Sequence, residues 1–478
     1  MKKILIALGV LLTLGGSLFY FFSGLLLEAN NTLRIVLNTP ETDISPYGLD
    51  LNNATRIQNI YEGLVAFDRN LKLVPALAVS WGNIGENEWE FRLRQDVKFH
   101  DGSLFGPQDV LDVFQKAKAS GNSQIAVDIS TIKDIRKTDD GRIVVTTFSP
   151  DPLLLSKLTK LFVYHENNVG TGPYVLKEWI PKTSFLLTAF PDYWGEKPFF
   201  QNADYEVITS RTQREDEFAK GKIDVLIGVT EDQALALPKD QIITNYGLEV
   251  NFLMFQMDDP VFKDRNIREA VYSLIDPNQI EAIGNHFVKS SDQFIAPGVF
   301  GYNPNIPAHP YDPAKEARSL FGKRLERVSF DYLTSFRTLS DYLATQMSKA
   351  GFSVKQNAVE PDILLSKIQK HESPLFLIGW RAEDGDAGGF FDAFVYSKGP
   401  FNNGRYSNPE VDALIEKSRT EMNPQKRLLL LQEIGTKVNE DLIGIPLFET
   451  SRLFAIKKGI QIRSNLGGQV LASEISAK

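Results

Sequence analysis

Between Lys3 and Glu28 the chain passes through 24 residues, Ile4 to Leu27, without one charged side chain. That run limits what the molecule can become more than any other stretch. As a helix it is roughly 36 Å long at 1.5 Å rise per residue, enough to cross a hydrocarbon core with some tilt. A secretory signal has a shorter apolar core, about 7 to 15 residues, and ends in small residues where it is cut. The exit here, FSGLLLEAN at 22 to 30, has no A-x-A pattern. The run therefore reads as one uncleaved transmembrane helix, with secretion after signal cleavage as the alternative. Lys2 and Lys3 keep that end cytoplasmic, which places everything after residue 30 on the outer face of the membrane.

The chain has no cysteine. Disulfides, thiol nucleophiles and thiolate metal sites are excluded, and so is a lipid-modified cysteine, leaving the helix as the tether. With 478 residues, 43% of them hydrophobic, a large core is affordable, and ~150 residues per domain suggests about three folding units. The net charge of −8 comes without any long Lys/Arg block, so the electrostatic footprint of a nucleic-acid binder is missing.

Strand and helix patterns then mix without an internal repeat. In EWEFRLRQDVKF, Trp89, Phe91 and Leu93 alternate with Glu90, Arg92 and Arg94, the period of a strand with one buried face. A turn at Asp101-Gly102 follows, and Val110, Val113, Phe114 and Ala117 then recur at helical spacing. Ile267, Ala270, Val271 and Leu274 mark another helix. Asp276-Pro277, Asn408-Pro409 and Asn423-Pro424 each offer a capping side chain followed by a proline at the first helical position.

Catalytic patterns are missing: there is no G-x-S-x-G, no H-E-x-x-H and no phosphate loop. The glycines Gly170 and Gly172 read as a turn entering a strand, since Pro173 and Tyr174 interrupt a dinucleotide pattern. His100, His165, His286, His309 and His371 are scattered and read as surface or satisfied core residues. One segment does concentrate charge. LIGWRAEDGDAGGFF, 377 to 391, sets Glu383, Asp384 and Asp386 within four positions, just after Trp380 and Arg381. As a calcium loop it fails, because Gly388 and Val395 fall where oxygen ligands are required. Neighbouring carboxylates on one turn also seldom flank a substrate from opposite sides, as glycoside hydrolysis needs. Two readings remain: receipt of a cationic ligand, or a solvated acidic turn.

Several longer stretches resemble one family, the extracytoplasmic solute-binding proteins of peptide and nickel ABC importers, of dipeptide- and oligopeptide-binding type. They are NIYEGLVAFDRNLKLVPALAVSW (59 to 81), FRLRQDVKFHDGSLFGPQDV (91 to 110), GTGPYVLKEW (170 to 179), PDYWGEKP (191 to 198), GKIDV (221 to 225), FKDRNIREAVYSLIDPNQI (262 to 280), Gly379-Trp380 and NNGRYSNPEVDALI (402 to 415). In order, they cover nearly everything from about residue 32 to 460.

The resemblance implies an α/β fold: a two-lobed periplasmic-binding-protein clamp, hinged, with an inserted subdomain. Residues 31–50, 165–250 and 441–478 would form the first lobe, 51–164 its insertion and 251–440 the second lobe. The crossings between lobes are expected near 249 to 258 and 443 to 453. The implied function is capture of short peptides for an ABC permease with separate ATPase subunits, by a monomer, without cofactor or metal. The alternatives are a non-peptide ligand (a nickel complex, haem or an oligosaccharide) and an extracytoplasmic hydrolase. The resemblance also implies that Glu383 meets the ligand's α-ammonium, with Asp384 and Asp386 as fallbacks. Trp380 would pack over the ligand or cap the strand. Arg381 would meet a ligand carboxylate or lie on the surface. The chain departs from the family pattern at Ala387, at Gln256 and in the short segment before Gly170, which bears on ligand identity more than on fold.

Overall fold

The alternation in Glu88–Leu93 does form a strand, and Phe91 and Leu93 are buried while Arg92 between them is exposed. It turns through Gly102, whose φ of +86° suits a residue without Cβ, into the helix Pro107–Ala119. That helix buries Val110, Val113, Phe114 and Ala117, the stripe its spacing predicts. Each larger side chain so buried contributes about 1.5 to 3 kcal/mol. The proline-started helices are capped as read. Asp276 accepts from Asn278 N at 2.9 Å, Asn408 from Glu410 N at 3.1 Å and Asn423 from Lys426 N at 3.0 Å.

A computed structural model describes residues 31–478 apart from 41–42, 48–50, 122, 167, 309–310 and 313–326. The expected membrane helix and His309 lie outside the described residues. Among the described residues no helix is long and apolar enough to cross a membrane.

The main sheet runs through both lobes. In the first lobe, Thr32–Leu37 is parallel to Asn202–Val207 on one side and to Val225–Ile227 on the other. Ser184–Ala189 and Tyr174–Ile180 extend that side antiparallel. Two long strands, Ile242–Phe255 and Gly444–Ile456, then cross to the second lobe, pairing antiparallel from Ile242 and Ala455 to Met254 and Gly444. Their ladder shifts register between Tyr246 and Val250. A break of this kind bends and twists a strand pair. It lies where one lobe gives way to the other, so the crossings expected from sequence are found, each beginning or ending a few residues from the expected bounds. In the second lobe, Leu375–Arg381 pairs antiparallel with the first crossing strand. Arg327–Leu333 runs parallel to it and to Ser353–Val359.

Four further strands, Ala78–Asn83, Glu88–Leu93, Ile143–Thr147 and Ile132–Lys137 in that spatial order, make a separate sheet. Its core draws on residues from Leu64 to Val163. Ile57, Ile60 and Tyr61, which the sequence reading put in the insertion, pack instead with Leu33, Ile35 and Tyr174 of the first lobe. Gly170 shows why that junction tolerates no side chain: a Cβ there would lie 2.0 Å from the carbonyl oxygen of Ile60. The aromatic pair of the PDYWG stretch closes the same junction through a polar network. Tyr193 Oη and Trp194 Nε1 each donate to the Glu62 carboxylate at 2.9 Å, and Thr171 Oγ1 donates to it at 2.8 Å.

Candidate ligand cleft between the lobes

Parallel strands point their carboxyl ends, and the loops that follow, at the places where open α/β sheets bind ligands. Here the carboxyl ends of both lobes converge on one cavity of about 650 Å³. Asn38 follows the strand Thr32–Leu37, Gly228 to Glu231 follow Val225–Ile227, and Ser335 and Phe336 follow Arg327–Leu333. The crossing strands form the floor with Glu249 on one and Thr450 and Arg452 on the other. The lining is otherwise largely apolar, from Ile280, Phe287 and Phe448. An apolar cleft with a few placed charges is the usual form of a small-ligand site.

Glu249 is lightly held: Thr450 Oγ1 and Asn251 Nδ2 lie 3.4 and 3.5 Å from its Oε1. Arg452 is half-buried. Burial, and then the neighbouring Arg381, push its guanidinium down to about 10, while Glu249 opposes the shift. Neither residue was singled out from sequence. Both sit in the stretches read as crossings, but their proximity depends on the register between the two strands, which neither stretch encodes locally.

None of the five residues taken from the acidic stretch lines this cavity, and the structure gives them separate surroundings. Asp386, expected as a fallback ligand group, is engaged within the second lobe. It is buried, and both its oxygens are taken by Arg427, with Nη2 2.9 Å from Oδ1 and Nη1 bonded to Oδ2. The backbone N–H of Gly388 donates to the same Oδ1 at 2.8 Å, so the buried carboxylate is committed to three donors of its own lobe. Asp384 is paired as well, with Lys160 from the inserted unit, and Lys160 also lies 3.7 Å from Asp128. Burial opposes the charge on Lys160, yet Asp384, Asp128 and Glu383 together hold its ammonium above the ordinary lysine value.

Trp380 packs edge-on against Phe394, ring centroids 5.4 Å apart, at the second lobe's core. It is half-buried there, packed against the core rather than within it. Arg381 pairs in the ladder with Glu249, and its Nη2 donates to the carbonyl of Gly467 at 2.6 Å. Burial lowers its pKa, while Glu383 and Glu249 raise it. Glu383 alone of the three acids is exposed, and its carboxylate makes no hydrogen bond among the described residues. It sits just past the carboxyl end of Leu375–Arg381, at the end of the sheet that faces the other lobe.

A two-lobed sheet joined by two crossing strands, with a cavity walled from both sides, defines a solute-binding protein. The chain belongs to the bacterial extracellular solute-binding proteins, family 5, whose model, described as the "Middle" region of that family, matches residues 72–402. It is 23% identical over 448 residues to the haem-binding protein A of Haemophilus influenzae, covering 82% of this chain and 81% of that one. It is 21% identical over 480 residues to a probable di/tripeptide-binding protein 5 of Pseudomonas aeruginosa, covering 88% and 91% respectively. The solved structure of HbpA2 from Haemophilus parasuis superposes with a TM-score of 0.84 at 20% identity, over 94% of this chain and all of that one.

Proposed function

We propose that this chain captures short peptides between its lobes on the outer face of the cytoplasmic membrane and delivers them to an ABC permease. The observation that carries the reading is a main-chain edge without a described strand partner, toward the carboxyl end of the second lobe's strand Leu375–Arg381. The parallel strand Arg327–Leu333 pairs with Leu375–Arg381 only at Leu375 and Phe376. Beyond that point the outer edge of Leu377 to Arg381 has no strand partner among the described residues. An extended peptide can add there by main-chain hydrogen bonds that any sequence offers, while a charged terminus fixes its register. A haem or a metal chelate makes no use of such an edge. Similarity at this level of identity does not choose between these ligands, since one relative is named for haem and another for di- and tripeptides.

In this reading Glu383 receives the α-ammonium, because it is the acid of the turn left without a hydrogen-bonded partner. Residues 4 to 27 are the anchor, which the length of the uncharged run supports, and a monomer suffices because one chain supplies both walls of the cleft. N-terminal sequencing of the native protein tests the anchor; a mature start between 25 and 32 refutes it.

The binding test is calorimetry of one tripeptide, free and N-acetylated, against the unmodified chain and Glu383→Gln. Losing one partner of a desolvated charge pair costs about 2 to 5 kcal/mol, roughly 30- to several-thousand-fold in affinity. The free peptide should lose that much on Glu383→Gln, and the acetylated form should bind the unmodified chain poorly. Equal binding of both forms removes the ammonium role. Reproducible cleavage of the peptide would favour a hydrolase instead.

A further inference from the structure

The charges in the cleft do not cancel in pairs. Among the described residues the Glu249 carboxylate accepts hydrogen bonds from Thr450 and Asn251 alone, both at the outer limit of hydrogen bonding. Arg452 lines the same cavity from the second crossing strand; its backbone is paired in the ladder opposite Asn245, but its guanidinium has no hydrogen bond or ion pair among the described residues.

Elsewhere the chain provides for its buried guanidinium groups. Arg214 donates to the carbonyls of Ile208 and Thr209, Arg268 to those of Leu442 and Asp441, and Arg427 to Asp386. Even Arg381, next to Arg452 in the field of the cleft, has the carbonyl of Gly467. A guanidinium carries five donors in a planar fork and no acceptor, and it matches a carboxylate two bonds at a time. Arg452 is only half-buried, so it bears part of the cost of desolvation with no partner among the described residues to offset it. In a cavity walled by both lobes, a ligand is the partner the fold leaves room for.

We infer that Arg452 receives the carboxylate of the captured ligand, so that the cleft selects zwitterions over ligands carrying only a cation. This rests on the peptide reading above and adds the second charged end to it. A single carboxylate suits the lining, since Glu231 and Glu249 share the wall and would repel a dianionic group such as a phosphate monoester. The position also ties recognition to closure. Arg452 stands on a crossing strand between Gly228 to Glu231 of the first lobe and Phe336 of the second, so a carboxylate held there is enclosed only when both walls are in place. Burial, together with Arg381, weakens the guanidinium's hold on its proton, but at neutral pH the group stays charged and available.

The test is made on the full chain in detergent, stripped of ligand, by calorimetry with trialanine and its C-terminal amide. The unmodified chain should prefer the free acid by roughly 30-fold or more. Arg452→Met keeps the stem and removes the charge. It should bring the free acid down to the level of the amide, leave the amide's affinity unchanged, and leave the melting temperature level or raised. A merely structural arginine would lower that temperature. Arg452→Lys should restore part of the preference. The inference is overturned if the unmodified chain binds acid and amide alike, or if Arg452→Met keeps the preference. Should neither peptide bind, the peptide reading fails separately, and a monocarboxylate without an amine, N-acetylalanine, then decides. Thermal stabilisation of the unmodified chain by N-acetylalanine that is lost in Arg452→Met sustains the carboxylate site, and no stabilisation overturns it.

Discussion

Asp386→Ala separates a residue that holds the fold from one that holds the ligand. The side chains of Asp386 and Arg427 are 7% and 5% exposed, and the pair is bidentate, with Arg427 Nε also donating to the carbonyl of Ser418 at 3.0 Å. Asp386 opens the segment that leads to Phe390 and Phe394 in the second lobe's core, and Arg427 lies on the helix Pro424–Asp441 packed behind it. Deleting the carboxylate strands a buried guanidinium with two N–H groups unmet and frees the Gly388 N–H. Breaking one side of a buried ion pair costs about 3 to 5 kcal/mol. Urea unfolding followed by tryptophan fluorescence reads the change, because Trp380 packs against the same core. Asp386→Leu with Arg427→Met removes both charges and should regain most of the loss, since replacing a buried pair by apolar groups is often neutral. For protein still folded, peptide affinity should stay within about twofold. A stability loss under about 1 kcal/mol would refute the structural assignment. A collapse of affinity in protein that remains folded would return Asp386 to the ligand.

Two further outcomes follow from charges that the sequence did not mark. Burial pushes the Glu62 carboxyl up to about 7 from an ordinary 4.5, against the hydrogen bonds from Trp194, Thr171 and Tyr193 and the nearby Arg94. The folded chain therefore binds this proton more tightly than the unfolded chain does. Its contribution is fully present below about pH 4.5 and is lost as the pH rises through about 7. The loss is on the order of 2 kcal/mol for a half-buried group. Glu62→Gln should flatten the pH dependence of the urea midpoint across that window, and an unchanged slope would exclude Glu62 as its source. Lys160→Met removes an internal ammonium that lies by the acids of the turn, in competition with a ligand ammonium at Glu383. Affinity for a free-amine tripeptide should rise about fivefold, for a like-charge penalty of about 1 kcal/mol, with the N-acetylated form unmoved. Calorimetry that shows no gain, or a loss, would mean that Lys160 does not oppose the ligand.

What could be read from sequence and what could not divides along the range of the interactions. The strand Glu88–Leu93, the helix Pro107–Ala119 and the proline-started helices rest on periodicity and caps within a few residues, and local pattern is enough to place them. The two crossings were also readable, as apolar strand-like runs. Their consequence was not, because the adjacency of Glu249 and Arg452 depends on an antiparallel register between strands some 200 residues apart, with a shift at Tyr246 and Val250 that no local signal announces. The acidic turn shows the same limit at the scale of three residues. Glu383, Asp384 and Asp386 look interchangeable in sequence, yet each has its own surroundings: Asp386 is committed to a helix 41 positions on, and Asp384 to a lysine 224 positions back. Leu71, also from the inserted unit, lies 3.4 Å from where a Cβ on Gly385 would be, so the turn is fixed on both sides by groups from different cores. A carboxylate that such partners leave unbonded in a fixed turn is one that a ligand can use without first breaking the fold. The resemblance already put Glu383 first by its place after Gly379-Trp380; the partners of its neighbours add a physical ground for that order.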